Sequence, residues 1–425
     1  MDSRRINPST TPQQILISKS TTQPLLRNGQ FLRLWAVGWV TGMMMWLELL
    51  VIALLTLDLT NSPFLVSLTF FLRFLPMLLG FGIGVVAEKL NRKYMMIVGL
   101  MIQATTSATL AILVINNNLA YWHLALGSFV IGAVMASEFP VRRTMIGEVV
   151  DRKSAGRALS LEQTTNSLFR IPGPFIGGIF LATIGPQGGF LLGVALYAIG
   201  ILVAMSMHYQ RPNKNEPFKH PKTQIIEGIR YISRHQVMIG TLGVTLIINV
   251  FGFSYVSQQP VVAKQVLNAS DILVGVLQSV EGTGAFIGAA LIAIFAKPQH
   301  YTRIFMWGSS LFVIAIILFS QSTIYWVTLI ILFFGGVGMS AFATMQSAII
   351  IYTSTPQMRG RVLGSVAVFI GIGPFGQLAI GALADILNPA TAVLITAGFG
   401  LVCMAIAFIV FPAMKRSDGL ESSTG

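Results

Sequence analysis

Four ionisable side chains lie where the sequence is otherwise apolar: Glu48, Arg73, Arg170 and Glu281. A carboxyl and a guanidinium in such surroundings can pair, can exchange a salt bridge for a bound proton, or can grip a polar solute. A charge near the middle of a bilayer costs at least about 2.5–3.5 kcal/mol, so each should face a partner or a wet cavity. Glu48 lies 13 residues before Asn61 and Arg73 lies 12 after it. Two helices joined at that turn set both side chains at one depth. The pair could equally be structural, and Arg170 could bond carbonyls freed by Pro172 and Pro174. Glu281, followed by Gly282-Thr283-Gly284, is harder to assign to structure alone. Glu138 stands four residues before Arg142, the spacing of a helix ion pair. Gln258 and Gln346, with Asn249, Tyr255 and Gln278, are candidate polar contacts in a cavity.

Catalytic chemistry is not expected. The five histidines are scattered without ligand spacing, Cys403 is the only cysteine, and there is no phosphate loop or nucleophile–base set. Neither a metal nor a cofactor is anticipated.

The elements that hold these residues are apolar helices. Of 425 residues 54% are hydrophobic and 10% charged, with mean hydropathy +0.74, a membrane composition. Twelve segments reach spanning length: 31–57, 63–87, 94–115, 121–144, 158–183 and 187–208, then 237–260, 272–296, 304–320, 325–350, 362–383 and 389–413. None has the ten-residue alternation of a membrane β-strand. The first thirty residues lack the apolar core of a signal peptide.

The basic residues set the orientation. All but Arg73, Arg170 and Lys264 fall on one side of this arrangement, so both termini are expected in the cytoplasm. The net charge of +13 then needs no nucleic-acid partner. The domain plan is a cytoplasmic tail at 1–29, a first bundle at 30–208, a linker at 209–236, a second bundle at 237–414 and a tail at 415–425. In the linker, Ile225, Ile226, Ile229 and Ile232 form an apolar stripe beside Lys222, Arg230 and Arg234, suited to the inner leaflet.

The halves carry an internal repeat. Tyr121-Trp122 and Tyr325-Trp326 are 204 residues apart, as are Gly156-Arg157 and Gly360-Arg361. Gly173-Pro174-Phe175 and Gly373-Pro374-Phe375 follow in the same order. Two related six-helix bundles around a midplane site are a common transporter plan.

The stretch Gly84, Glu88, Lys89, Asn91, Arg92 and Lys93 resembles the signature loop of the major facilitator superfamily. Glu88 stands for the usual Asp, Lys89 for Arg and Asn91 for Gly. The chain is similar throughout to the branch holding the enterobactin exporter and related secretion-type transporters. That likeness rests on Arg27-Asn28, Leu59 to Pro63, Arg73 with Pro76, Pro140 with Arg142, Arg170 to Pro174, Glu227 to Tyr231, Tyr255 to Ser257 and Arg359 to Val362. Gly173, Pro174, Gly177 and Gly178 match the end of the fifth-helix antiporter motif, whose upstream glycine is replaced by Phe169.

The resemblance implies an all-α fold with twelve transmembrane helices in two pseudo-symmetric six-helix bundles, acting as a monomer in a bacterial inner membrane. It implies proton-coupled export of a siderophore-like or drug-like solute, with a gate at the signature loop. It also brings the fifth and eighth helices face to face, which would make Glu281 the coupling carboxyl and Arg170 its partner in one state. Arg73 and Arg170 would suit an anionic or catecholate-type ligand. Uptake of such a solute, or a membrane sensor that no longer transports, are the alternatives.

Overall fold

A computed structural model describes residues 25–78, 91–209, 221–355 and 358–414, which form helices and short connections without a strand. Residues 1–24 and 415–425 of the tails, the first part of the linker, and Gly84, Glu88 and Lys89 of the signature loop lie outside the described residues. The first half runs α1 (Gly29–Thr60), α2 (Pro63–Leu78), α3 (Arg92–Ile115), α4 (Tyr121–Val149), α5 (Arg152–Leu168), α6 (Pro172–Thr183) and α7 (Pro186–Met205). A linker helix, α8 (Pro221–Ile232), leads to α9 (Gln236–Ile247) and α10 (Gln259–Gln265). Then follow α11 (Asp271–Phe295), α12 (Tyr301–Gln321), α13 (Tyr325–Thr353), α14 (Arg359–Gly371), α15 (Gly373–Ile386) and α16 (Pro389–Val410).

Ten helical stretches among the described residues are long and apolar enough to cross a membrane. The other two expected segments differ in an informative way. The second is described only as the shorter apolar helix Pro63–Leu78. The fifth, expected as one helix over 158–183, is two helices separated at Phe169–Ile171. Pro172 and Pro174 account for that break, since each lacks an amide donor, while Ile171 before them keeps right-handed helical backbone.

The seventh segment is interrupted too. Between α9 and α10 a π-turn, Ile248–Gly252, passes into a 3₁₀ turn, Phe253–Ser257. Asn249 competes for the backbone there, donating Nδ2 to the Thr245 carbonyl at 2.8 Å. Insertions of this kind re-aim side chains within a span.

Helix ends are set by local chemistry. Asn28 caps α1, its side chain accepting from the amides of Gln30 and Phe31 at 3.1 Å each. Asn61, at φ 51°, turns the chain out of α1, and Pro63 starts α2 with a φ already suited to a helix.

In each half a glycine nests against a neighbouring backbone. A methyl at Gly132 of α4 would overlap the Arg73 carbonyl of α2, and one at Gly336 of α13 would overlap the Glu281 carbonyl of α11. These glycines are 204 residues apart, the offset of the sequence repeat. Arg73 and Glu281 therefore occupy corresponding places in two structurally related bundles.

The face opposite the linker, called the far side here, is where the halves close on each other. Ser62 Oγ and the Phe64 amide donate to Asp385 Oδ1 at 3.0 and 3.2 Å, so a carboxylate from α15 caps α2 across the boundary. Gly178 sits under the Asp271 carbonyl and Gly275 under that of Pro174, letting α6 and α11 approach closely. An apolar cluster of Leu49, Ala53, Leu57, Val66, Phe70 and Val261 fills the space between α1, α2 and α10.

Candidate functional site

A narrow cleft, with a cavity volume of about 20 Å³, lies between the halves, beneath the far-side closure. Trp46, Leu49, Phe70, Pro174 and Val256 make its apolar wall, and Arg170, Gln259, Gln278 and Glu281 supply the polar groups. An apolar wall with a few convergent polar groups is the usual form of a small-molecule site.

Arg170 reaches the cleft because α5 ends just before it. Its Nη2 lies 3.4 Å from Glu281 Oε1 on α11, in the other half. The guanidinium also sits 4.5 Å from the centre of the Trp46 ring, a cation–π contact, and Nη1 lies 3.2 Å from Met339 Sδ. The other Glu281 oxygen accepts from Gln259 Nε2 at 3.1 Å. Arg170 is 19% exposed and Glu281 3%. The carboxylate is sequestered, and the guanidinium is the more exposed of the two charges.

Arg73 and Glu48 are not in this cleft. Arg73 Nη2 contacts Glu48 Oε2 at 3.1 Å inside the first half, both fully buried. Ser107 of α3 and Tyr197 of α7 donate to the other Glu48 oxygen at 3.2 and 3.0 Å. Four helices thus meet at one carboxylate. The expectation that Arg73 helps bind a ligand is corrected: Arg73 faces the bundle interior, because equal depth says nothing of which way a side chain points.

Glu138 also lies apart from the cleft, toward the linker side. Arg142 Nη1 bonds Glu138 Oε1 at 2.8 Å, and Arg142 Nε bonds Glu162 Oε1 at 3.0 Å. Thr41 joins through its hydroxyl. Two buried carboxylates therefore share one guanidinium, with Arg143 3.9 Å from Glu162. Glu162 was not anticipated, although it lies within the expected span 158–183, because its neighbours Ser160, Gln163, Thr164 and Thr165 are polar.

The remaining candidates scatter. Gln346 Nε2 donates to Thr245 Oγ1 at 2.7 Å and stays within the second half. Gln258 donates across the boundary to the Pro63 carbonyl and to Ser67 Oγ, at 3.0 and 2.7 Å. Of the amides considered, Gln278 alone lines the cleft, while Gln259, which was not considered, holds Glu281. Gly173 and Gly177 pack on α1, Pro174 lines the cleft, and Gly178 packs on α11. From the signature loop, Arg92 pairs with Glu148 at 2.7 Å. Lys93 Nζ donates to the carbonyls of Met205 and Met207 at 2.8 and 2.6 Å, closing the end of α7.

Two related helix bundles around a charged central cleft define a membrane transporter of the major facilitator type, and such proteins are not enzymes. The chain belongs to the transmembrane secretion effector family, whose model matches residues 19–424. It is 24% identical over 371 residues to the staphyloferrin A transporter of Staphylococcus aureus, covering 84% of this chain and 89% of that one. It is 25% identical to the enterobactin exporter of Shigella flexneri over 62% of each chain. Its fold is similar to a bacterial homologue of the human lysosomal transporter Spinster, in an inward-facing and unoccupied conformation. That match has TM-score 0.67 and 14% identity and covers 92% and 97% of the two chains.

Proposed function

We propose that this protein exports a small organic solute, siderophore-like or drug-like, by alternating access driven by proton influx. The observation that carries the reading is the Arg170–Glu281 ion pair, which crosses the boundary between the halves inside the cleft. Rocking the halves apart would strip Glu281 of its counter-charge. A buried lone carboxylate is costly, so a proton would take the place of the salt bridge. One element then has two arrangements with different proton content, which coupling requires. The solute class is suggested by the relatives that handle staphyloferrin A and enterobactin.

The protein would work as a twelve-helix monomer in the inner membrane, with the linker and both termini cytoplasmic, as the placement of its basic residues supports. The test uses inside-out vesicles with an acidic lumen and labelled enterobactin or staphyloferrin A as probes. Accumulation that collapses with a protonophore supports export. Protonophore-sensitive movement in the opposite sense means uptake.

A further inference from the structure

Consecutive glutamines at the interruption of the seventh span face opposite tasks. Gln258 lies at the junction of the 3₁₀ turn and α10 and bonds the Pro63 carbonyl and Ser67 Oγ in the first half. Ser257 Oγ sits 2.7 Å from the same Ser67 hydroxyl. Gln259, the next residue, donates to Glu281 Oε2 at 3.1 Å. All three side chains are buried. A regular helix sets successive side chains about 100° apart; here one amide meets α2 across the boundary and the next meets α11 in its own half.

We infer that the Gln258–Gln259 pair links closure of the far side to the charge state of Glu281. The inference rests on the proposed role of Glu281 as the coupling carboxyl. Gln258 Oε1 is buried with no hydrogen-bond partner among the described residues, so the amide is held by its NH₂ alone. An unsatisfied buried acceptor costs free energy that hydration returns. The contact with α2 is therefore suited to release when the far side opens and water enters. Release frees the short turn that carries Gln259, and Gln259 leaves Glu281 as Arg170 withdraws with the first half. The carboxylate loses both donors, and the neutral acid becomes its stable form in the cleft. Closing reseats both amides and restores the ion. Opening toward the far side and taking a proton become one event, the order that influx-driven export needs. Among the described residues, the ionisable groups facing Glu281 are Arg170 from the first half and Tyr255 from the 3₁₀ turn.

The experiment measures far-side opening in the purified full chain in lipid nanodiscs, with no transported solute. Spin labels at Asn118→Cys and Thr323→Cys, in a Cys403→Ser background, report the distance between the halves from pH 4 to pH 9. The distance should lengthen as pH falls, and Glu281→Gln should remove that dependence. Gln258→Met and Gln259→Met, chosen to conserve volume, should each move the midpoint up by about one pH unit, the scale of losing one hydrogen bond, from far-side closure in the first case and from the carboxylate in the second. The double variant should move it no further than the larger single change. Shifts that add, or a single change with no shift, overturn the linkage while leaving Glu281 as coupling group. A pH response surviving in Glu281→Gln overturns both. Alanine at the two positions carries the same expectations should either methionine variant fail to fold.

Discussion

At the scale of single residues, ionisable groups in apolar segments divide by the company they keep. Arg170 lies in the cleft beside one carboxylate and one indole, while Arg73 is locked to a carboxylate that also takes two hydroxyl donors. Removing one partner of the inner pair strands a buried charge, which costs about 3–5 kcal/mol; removing both does not. Glu48→Gln and Arg73→Met should each lower the thermal midpoint in detergent by more than the double variant does. Simple additivity in that cycle would mean that the two groups do not interact. At the shared guanidinium, Arg142→Met leaves Glu138 buried without a counter-charge and Glu162 with only Arg143, 3.9 Å away, whereas Glu162→Gln leaves the Arg142–Glu138 pair intact. The arginine change should be the more destabilising in the same assay, and an equal effect would show that Arg142 is not the shared counter-charge of the two carboxylates. Sequence could supply the depth of these groups along a helix, since rise per residue is constant. It could not supply azimuth, so Arg73 and Arg170 looked equivalent until packing separated them.

At the scale of elements, the site depends on two places where helices are not regular. Pro172 and Pro174 stop α5 and present Arg170, and the π and 3₁₀ turns before α10 present Gln258 and Gln259. The proline break was open to reading, because the missing donors are visible in the sequence. The π-turn was not: Ile248 to Gly252 carries no breaker but Gly252, and the insertion depends on tertiary packing. The regular helices elsewhere rest on close glycine contacts. Gly132→Ala and Gly336→Ala should each cost about 1–3 kcal/mol through overpacking, read as a lower thermal midpoint. Gly398→Ala, where a methyl meets nothing within 4 Å, should be neutral. Equal effects at all three positions would contradict the packing account.

At the scale of the whole molecule, two bundles related by a 204-residue offset meet on the far side and hold a cleft beneath it. Apolar segment lengths and the repeated Tyr-Trp and Gly-Arg pairs made that architecture legible early. The pairing of α6 with α11 was implied by the family resemblance, which sets the fifth helix against the eighth, whereas that of α2 with α15 came to light only in three dimensions, because such contacts leave no periodic trace in the chain. Thiol labelling of intact cells should find Asn118→Cys accessible from outside and Arg234→Cys accessible only after permeabilisation. The reverse pattern would invert the transporter and remove the argument for export. The proposed exchange of a salt bridge for a proton at Glu281 is decided in inside-out vesicles with an acidic lumen, comparing wild type with Glu281→Gln and using labelled enterobactin or staphyloferrin A. Glu281→Gln should lose accumulation driven by the pH gradient but keep solute counterflow; undiminished accumulation in that variant would rule the exchange out.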